Sequence, residues 1–248
     1  MPLPTFSRRR LLATTTLAPL AALLTGCGAD PAPPTPTAAP TATPEELLTR
    51  ASERLAATPS VGFSLDIAGD TFVDPNQTIR LLSATGDLLR PDSVQTEFQA
   101  EVVGRAITLQ LITIGDQTWL TNILTGEWGA APTEFAYRPD VLFDTQDGIG
   151  PVMGRVDNVE TLADEEIDGR AAAHLRAAVD ESVIGPLTYF TLQGSPVVVD
   201  LWIDKETDDL LRAQLTEPPA ADKPNPAVWT LDLSDHGEQV TIEPPPES

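Results

Sequence analysis

Between residues 61 and 68 the chain changes character at every step, with Val61, Phe63, Leu65 and Ile67 set against Gly62, Ser64, Asp66 and Ala68. The same rhythm returns where Val94, Phe98, Ala100 and Val102 alternate with Gln95, Glu97, Gln99 and Glu101. It returns again where Trp229, Leu231 and Leu233 alternate with Thr230, Asp232 and Ser234. Successive side chains of a strand point to opposite faces, so a period of two predicts antiparallel strands with one dry and one wet face. Further strands are expected over 79–89, 105–114, 117–123, 158–166, 171–179, 196–204, 210–216 and 238–243. Turn signals separate many of them: Gly86-Asp87, Gly115-Asp116, Thr125-Gly126 and Asp168-Gly169.

Helical spacing comes first in the chain. Thr43-Pro44-Glu45-Glu46 places a cap residue, a first-turn proline and a glutamate three positions after the threonine, the pattern of a capping box. Leu47, Leu48, Ala51 and Leu55 then recur on one face, and Thr58-Pro59-Ser60 ends the helix. Shorter helical turns are expected over 139–155, broken by Gly148, Gly150 and Pro151, and over 180–192, with Pro186 inside. The pattern predicts an α+β domain: a long succession of one-sided strands curled around a few helices. So little helix inside a curled sheet leaves either an apolar hollow, which suits apolar ligands, or a fully packed core, since both give the same alternation.

The first 26 residues follow a different logic. Arg8, Arg9 and Arg10 precede a mostly apolar stretch at 11–24, interrupted by Thr14 to Thr16 and Pro19, and small residues follow. That is the layout of an export signal, and the stretch is shorter than the roughly 20 residues of a membrane span. Ser7-Arg8-Arg9-Arg10-Leu11-Leu12 is similar to a twin-arginine signal, although a plain secretory signal with three arginines looks much the same. Leu24-Thr25-Gly26-Cys27 resembles a bacterial lipobox, in which the cysteine becomes the first mature residue and carries diacylglycerol. Cys27 is the only cysteine of the chain, so it has no internal disulfide partner. Residues 28–43 are rich in proline, alanine and threonine, a composition that favours an extended tether reaching about 50 Å at about 3.1 Å per residue. The expected organisation is a signal at 1–26, a lipidated cysteine and tether at 27–43, and a domain at 44–248. Export and lipid anchoring to the outer face of a bacterial cell membrane follow.

Charge narrows the function classes. The chain has 15 basic and 37 acidic residues, for a net charge of −22, and three of the basic residues lie in the leader. A body this acidic is repelled by nucleic acid and by anionic membrane surfaces. Catalytic patterns are missing from the sequence: it has no HExxH, GxGxxG, Walker loop or GxSxG, and Ser195 lacks a nucleophile-elbow context. His174 and His236, the only histidines, are expected in packing or surface roles. The acidic runs Asp164-Glu165-Glu166 and Asp208-Asp209 read as solvated turns. No calcium-loop spacing occurs, and no cofactor or metal is expected. Trp202 falls on the opposite strand face from Val199, Leu201 and Ile203, so it is expected to be partly exposed.

Several stretches in order carry a family resemblance: "SVGFSLDI", "SATGDLLRPDSVQTEFQAEV", "ITIGDQTWLTNILTGEWGAAP", "YRPDVLFDTQDGIGPVM", "VDLWIDKETDDLLRAQL" and "VWTLDLSDHGEQVTIEPP". Together they resemble the LppX/LprA/LprF/LprG family of bacterial lipoproteins, from about Glu45 to Pro245. The resemblance implies a LolA-like half-barrel, a strongly curved antiparallel sheet wrapping a few helices around a hydrophobic cavity. It also implies binding of acylated lipid or glycolipid and its carriage within the cell envelope; with no nucleophile-and-base pair or metal set in the sequence, no enzyme is expected. Phe63, Leu65, Phe98, Leu109, Leu175 and Leu231 are the candidate cavity-lining residues, with Leu142 and Phe143 at a mobile mouth. An envelope transport partner is possible but unidentified. The alternative is a sensor or adaptor that uses the same fold to hold a protein partner, through a surface that includes Trp202.

Overall fold

The computed structural model describes residues 42–73, 76–131, 141–142, 144, 146–192, 194–221 and 223–246. Cys27, the leader and nearly all of the tether lie outside the described residues. So do Pro139, Asp140 and Phe143.

Helix α1 (Pro44–Ala57) starts as its sequence requires. The Thr43 hydroxyl accepts from the Glu46 amide and the Glu46 carboxylate accepts from the Thr43 amide, so two orphan donors of the first turn are satisfied. At the other end, Arg90 donates to the carbonyls of Thr58 (2.9 Å) and Leu55 (3.1 Å). It thereby places a cation where the helix dipole is negative. The helix buries Leu48, Ala51 and Leu55.

The strands follow in order: β1 (Ser60–Ala68), β2 (Ile79–Leu89), β3 (Ser93–Val102), β4 (Arg105–Ile114), β5 (Gln117–Thr121) and β6 (Trp128–Ala130). A short helix α2 (Ile149–Met153) precedes β7 (Asp157–Thr161), β8 (Glu165–Ile167) and β9 (Arg170–Val179). Helix α3 (Glu181–Thr188) is capped by the Asp180 side chain and leads to β10 (Val197–Asp204), β11 (Leu210–Thr216) and β12 (Val228–Ser234). Among the described residues these form one curved antiparallel sheet in the order β6-β5-β4-β3-β2-β1-β12-β11-β10-β9-β7, with β8 also paired to β9. The register puts apolar residues opposite one another: Phe63 with Leu233, Leu65 with Leu231, Ile67 with Trp229, Ala84 with Phe98 and Phe98 with Leu109. One continuous core joins this inner face to α1, α2 and α3.

The expected α+β architecture is the one observed, and four local expectations need correction. Gly86-Asp87 is no turn but lies inside β2. A Cβ at Gly86 would sit 2.0 Å from the Gln95 carbonyl oxygen, so the glycine serves a close backbone approach. The stretch 158–166 is two strands, broken near Leu162. Residues 238–243 form no strand, because β12 is already paired on both sides, to β1 and β11. Asp209 is not a solvated turn acid: it is buried, accepting from Arg54 (2.7 Å) and Arg170 (2.9 Å).

Antiparallel pairing gathers the connections at two ends. The β2–β3, β4–β5 and β10–β11 turns share one end with α1, where Arg50 also makes a bidentate pair with Asp208. The β1–β2, β3–β4 and β5–β6 connections and α3 share the other.

Burial pushes the Asp209 carboxyl up, but Arg170, Thr207 and Arg54 outweigh it and hold the group at about 2, below its ordinary 3.8. A depressed carboxylate contributes stability that is complete above the unfolded-state value and is lost as pH falls through the folded one. Urea unfolding is expected to show this loss between about pH 4 and 2. Asp209→Asn is expected to be less stable at neutral pH and to lose less across that window.

Candidate functional site

The inner face is not completely filled. Two adjoining hollows lie along it, one of about 90 Å³ and one of about 410 Å³. The smaller is bounded by Phe63 and Leu65 of β1, Leu231 of β12, Val199 and Leu201 of β10, Val152 and Met153 of α2 and Ile184 of α3, with Leu142 beside them. The larger is bounded by Leu65, Leu81, Phe98 and Leu109, and by Val73, Ile123 and Tyr189 towards the surface. Leu65, Leu187, Thr188 and Trp229 line both. Strand parity alone puts Phe63, Leu65, Phe98, Leu109 and Leu231 on this face, because each side chain stands two residues from its neighbour on the same side. Leu175 shares the face but is fully enclosed in the core and lines neither hollow.

Among the described residues that line either hollow, none is charged. Thr188 turns its hydroxyl onto the Ile184 carbonyl at 3.2 Å, within its own helix. The Trp229 indole N–H donates to the buried Thr71 hydroxyl at 3.2 Å. A lining with its polar groups already engaged offers little to water and much to hydrocarbon. The arrangement suits burial of apolar chains.

The outer face of β9 and β10 has different chemistry. His174 places Nδ1 2.9 Å from Glu165 Oε1 and Nε2 2.8 Å from Asp200 Oδ1, and its ring stacks on Trp202 at 4.3 Å. Arg176 pairs with Asp200, and the Trp202 indole N–H donates to Glu165. Trp202 is therefore on the face its parity predicts but is buried, covered by Ile167, Ala172 and Leu211. The expected partly exposed aromatic is absent because β8 folds back over it, a contact that strand alternation does not encode. None of these groups lines the hollows. Among the described residues no cluster of three or more His, Cys, Asp or Glu is placed to hold a metal ion. No helix among them is long and apolar enough to cross a membrane.

The sequence profile described as LppX_LprAFG lipoprotein matches residues 43–242, nearly all of this architecture. The chain belongs to the LppX_LprAFG lipoprotein family. A protein of Mycobacterium bovis named "Putative diacylated glycolipid transporter LprF" is 32% identical over 73 residues, covering 29% of this chain and 28% of that protein. Its Mycobacterium tuberculosis counterpart gives the same figures. The chain thus aligns with under a third of the length of these curated relatives. The crystal structure of LprF from Mycobacterium bovis superposes with a TM-score of 0.65 at 20% identity, covering 81% of this chain and 96% of that one. That of LppX from Mycobacterium tuberculosis gives 0.57 at 17% identity, covering 81% and 100%. These two likenesses establish the fold.

Sequence reasoning passed over Trp229, Leu187 and Tyr189. Trp229 was legible through its parity with Leu231, whereas the α3 residues have no pattern that points into a hollow. Trp229→Phe is expected to leave the Thr71 hydroxyl buried without its donor and to cost about 1–2 kcal/mol. The urea midpoint of unfolding checks this.

Proposed function

We propose that this protein is a membrane-anchored lipoprotein that binds acylated lipid or glycolipid in the inner hollows and carries it within the cell envelope. The single observation that carries this reading is the pair of adjoining hollows, lined among the described residues by no charged side chain, inside the fold of a lipoprotein family. The name of the relatives, "Putative diacylated glycolipid transporter LprF", points the same way.

In this reading 1–26 is the export signal, Cys27 carries the lipid anchor, 27–43 is the tether and 44–248 is the carrier domain on the outer face of the cell membrane. Acyl chains occupy the space beside Phe63, Leu65, Phe98, Leu109, Leu142 and Leu231, and headgroups stay near the opening by Val73, Ile123 and Tyr189. Each methylene removed from water contributes about 0.8 kcal/mol, so two chains bind firmly even after the cost of ordering them. The domain needs only to enclose and release; no chemical step is required of it.

Native mass spectrometry with lipid extraction tests the reading on the chain from Gly28 onward, which retains the whole unit Thr41–Ser248. Expression in a host with abundant acylated glycolipid is expected to give lipid adducts of one class. Leu65→Glu, which places a charge in the wall common to both hollows, is expected to lose them, while Leu65→Ala keeps them in part. A chain that stays lipid-free after incubation with envelope lipids would sink the carrier reading.

A further inference from the structure

Six large hydrophobic side chains stand exposed among the described residues: Val73, Val103, Ile123, Leu124, Tyr189 and Phe190, at 42% to 89% of full exposure. Their placement is not scattered. Val73 belongs to the β1–β2 connection, Val103 to the β3–β4 turn, Ile123 and Leu124 to the β5–β6 turn, and Tyr189 and Phe190 to the end of α3. All four connections lie at the end of the sheet opposite α1. Val73, Ile123 and Tyr189 are also lining residues of the larger hollow, so the apolar wall continues outward into an apolar rim.

The rim is held out at a conformational cost. Tyr189 and Phe190 are consecutive bulky residues with φ of 54° and 55°, and Val103 has φ of 47°. Aromatic and β-branched residues seldom adopt this left-handed region. Phe190 lies across Gly185, where a Cβ would sit 2.3 Å from the ring, so the helix leaves a place for the ring in its exposed position. Exposed apolar side chains, strained backbone and an opening at one place together describe a surface built to meet something apolar.

We infer that this rim docks on the lipid bilayer, inserting Val103, Leu124 and Phe190 among the outermost acyl chains so that the larger hollow opens directly onto the membrane. The inference rests on the carrier reading, because a mouth sealed to the bilayer lets an acyl chain pass without crossing water. Three observations favour a bilayer over a protein partner. The apolar residues sit on separate turns around an opening rather than along one groove. The hollow behind them matches hydrocarbon, the interior of a bilayer. The third is reach: strands of about 10 residues separate the two ends by about 33 Å at about 3.3 Å per residue. The proline-rich composition of 28–43 allows a reach of up to about 50 Å, which in the proposed organisation is enough for a domain anchored at Cys27 to turn its far end to the membrane. With a net charge of −22, attachment is driven by apolar insertion and not by attraction to anionic headgroups.

Vesicle flotation and membrane-free lipid uptake, measured side by side on the chain from Gly28 onward, test the inference. The vesicles are pure phosphatidylcholine or phosphatidylcholine with phosphatidylglycerol, and uptake is read from a fluorescent diacyl lipid presented in cyclodextrin. The wild-type chain is expected to float with phosphatidylcholine equally at low and high salt, and less well with the anionic mixture at low salt, where its acidic surface is repelled. Val103→Ser/Leu124→Ser/Phe190→Ser is expected to float at least about tenfold more weakly, with uptake from cyclodextrin unchanged. None of the three residues lines either hollow. Should the triple variant fold poorly by circular dichroism, Val103→Ser/Leu124→Ser, confined to two surface turns, is expected to show the same split to a smaller degree. Uptake without flotation, or equal flotation of wild type and variants, overturns docking. Flotation without uptake upholds docking and overturns the carrier reading instead.

Discussion

A large apolar sheet face with too little helix to cover it is the constraint on which this structure turns. Among the described residues three helices of 14, 5 and 8 residues face a sheet whose inner side is apolar from β4 to β9. Curving the sheet brings its own side chains together and removes part of the exposed area. What curvature and helices cannot reach remains as the two hollows. The hollow is therefore not a separate device added to a finished core. It is the unfilled remainder of the same packing problem, and its lining is apolar because the same alternation that builds the core builds it.

Such a hollow persists only if the helices are held in place from outside it, since collapse would recover apolar contact. The holding is done by charges at one end. Arg50 and Arg54 of α1 pair with Asp208 and Asp209 in the β10–β11 turn, Arg170 of β9 joins Asp209 to Asp204, and Arg90 of the β2–β3 turn closes the helix. Surface ion pairs taken singly add little, but here the buried Asp209 carboxylate joins two guanidinium groups from different elements, and losing both would leave a buried charge uncompensated. The other end carries the exposed apolar side chains. Charged pairs thus cluster at one end of the sheet and exposed apolar side chains at the other.

Much of this was legible along the chain. The capping box of α1, the bounds of β2, β4 and β11 and the inward positions of Phe63, Leu65, Phe98, Leu109 and Leu231 follow from periods of 3.6 and 2, which are local properties. The family likeness was also readable in the order of its segments. By contrast, the break between β7 and β8, the burial of Trp202 beneath β8 and the pairing of Asp209 depend on residues tens of positions away. Gly86 reads as a turn signal by composition and proves to be a point of close strand contact, because nothing local reports where the Gln95 carbonyl will be.

The sequence by itself determined which residues face inward, that the strands are antiparallel and one-sided, and that the chain is acidic. Each is set by neighbours within a few positions or by a sum over residues. Only the tertiary structure decided which inward residues pack solid, as Leu175 does, and which border empty space, as Leu65 and Trp229 do. It also decided that four distant connections would bring their exposed apolar side chains to one end of the sheet. Both depend on how far the sheet curves and where three short helices come to rest, quantities that arise from the packing of the whole domain and have no expression in any one segment.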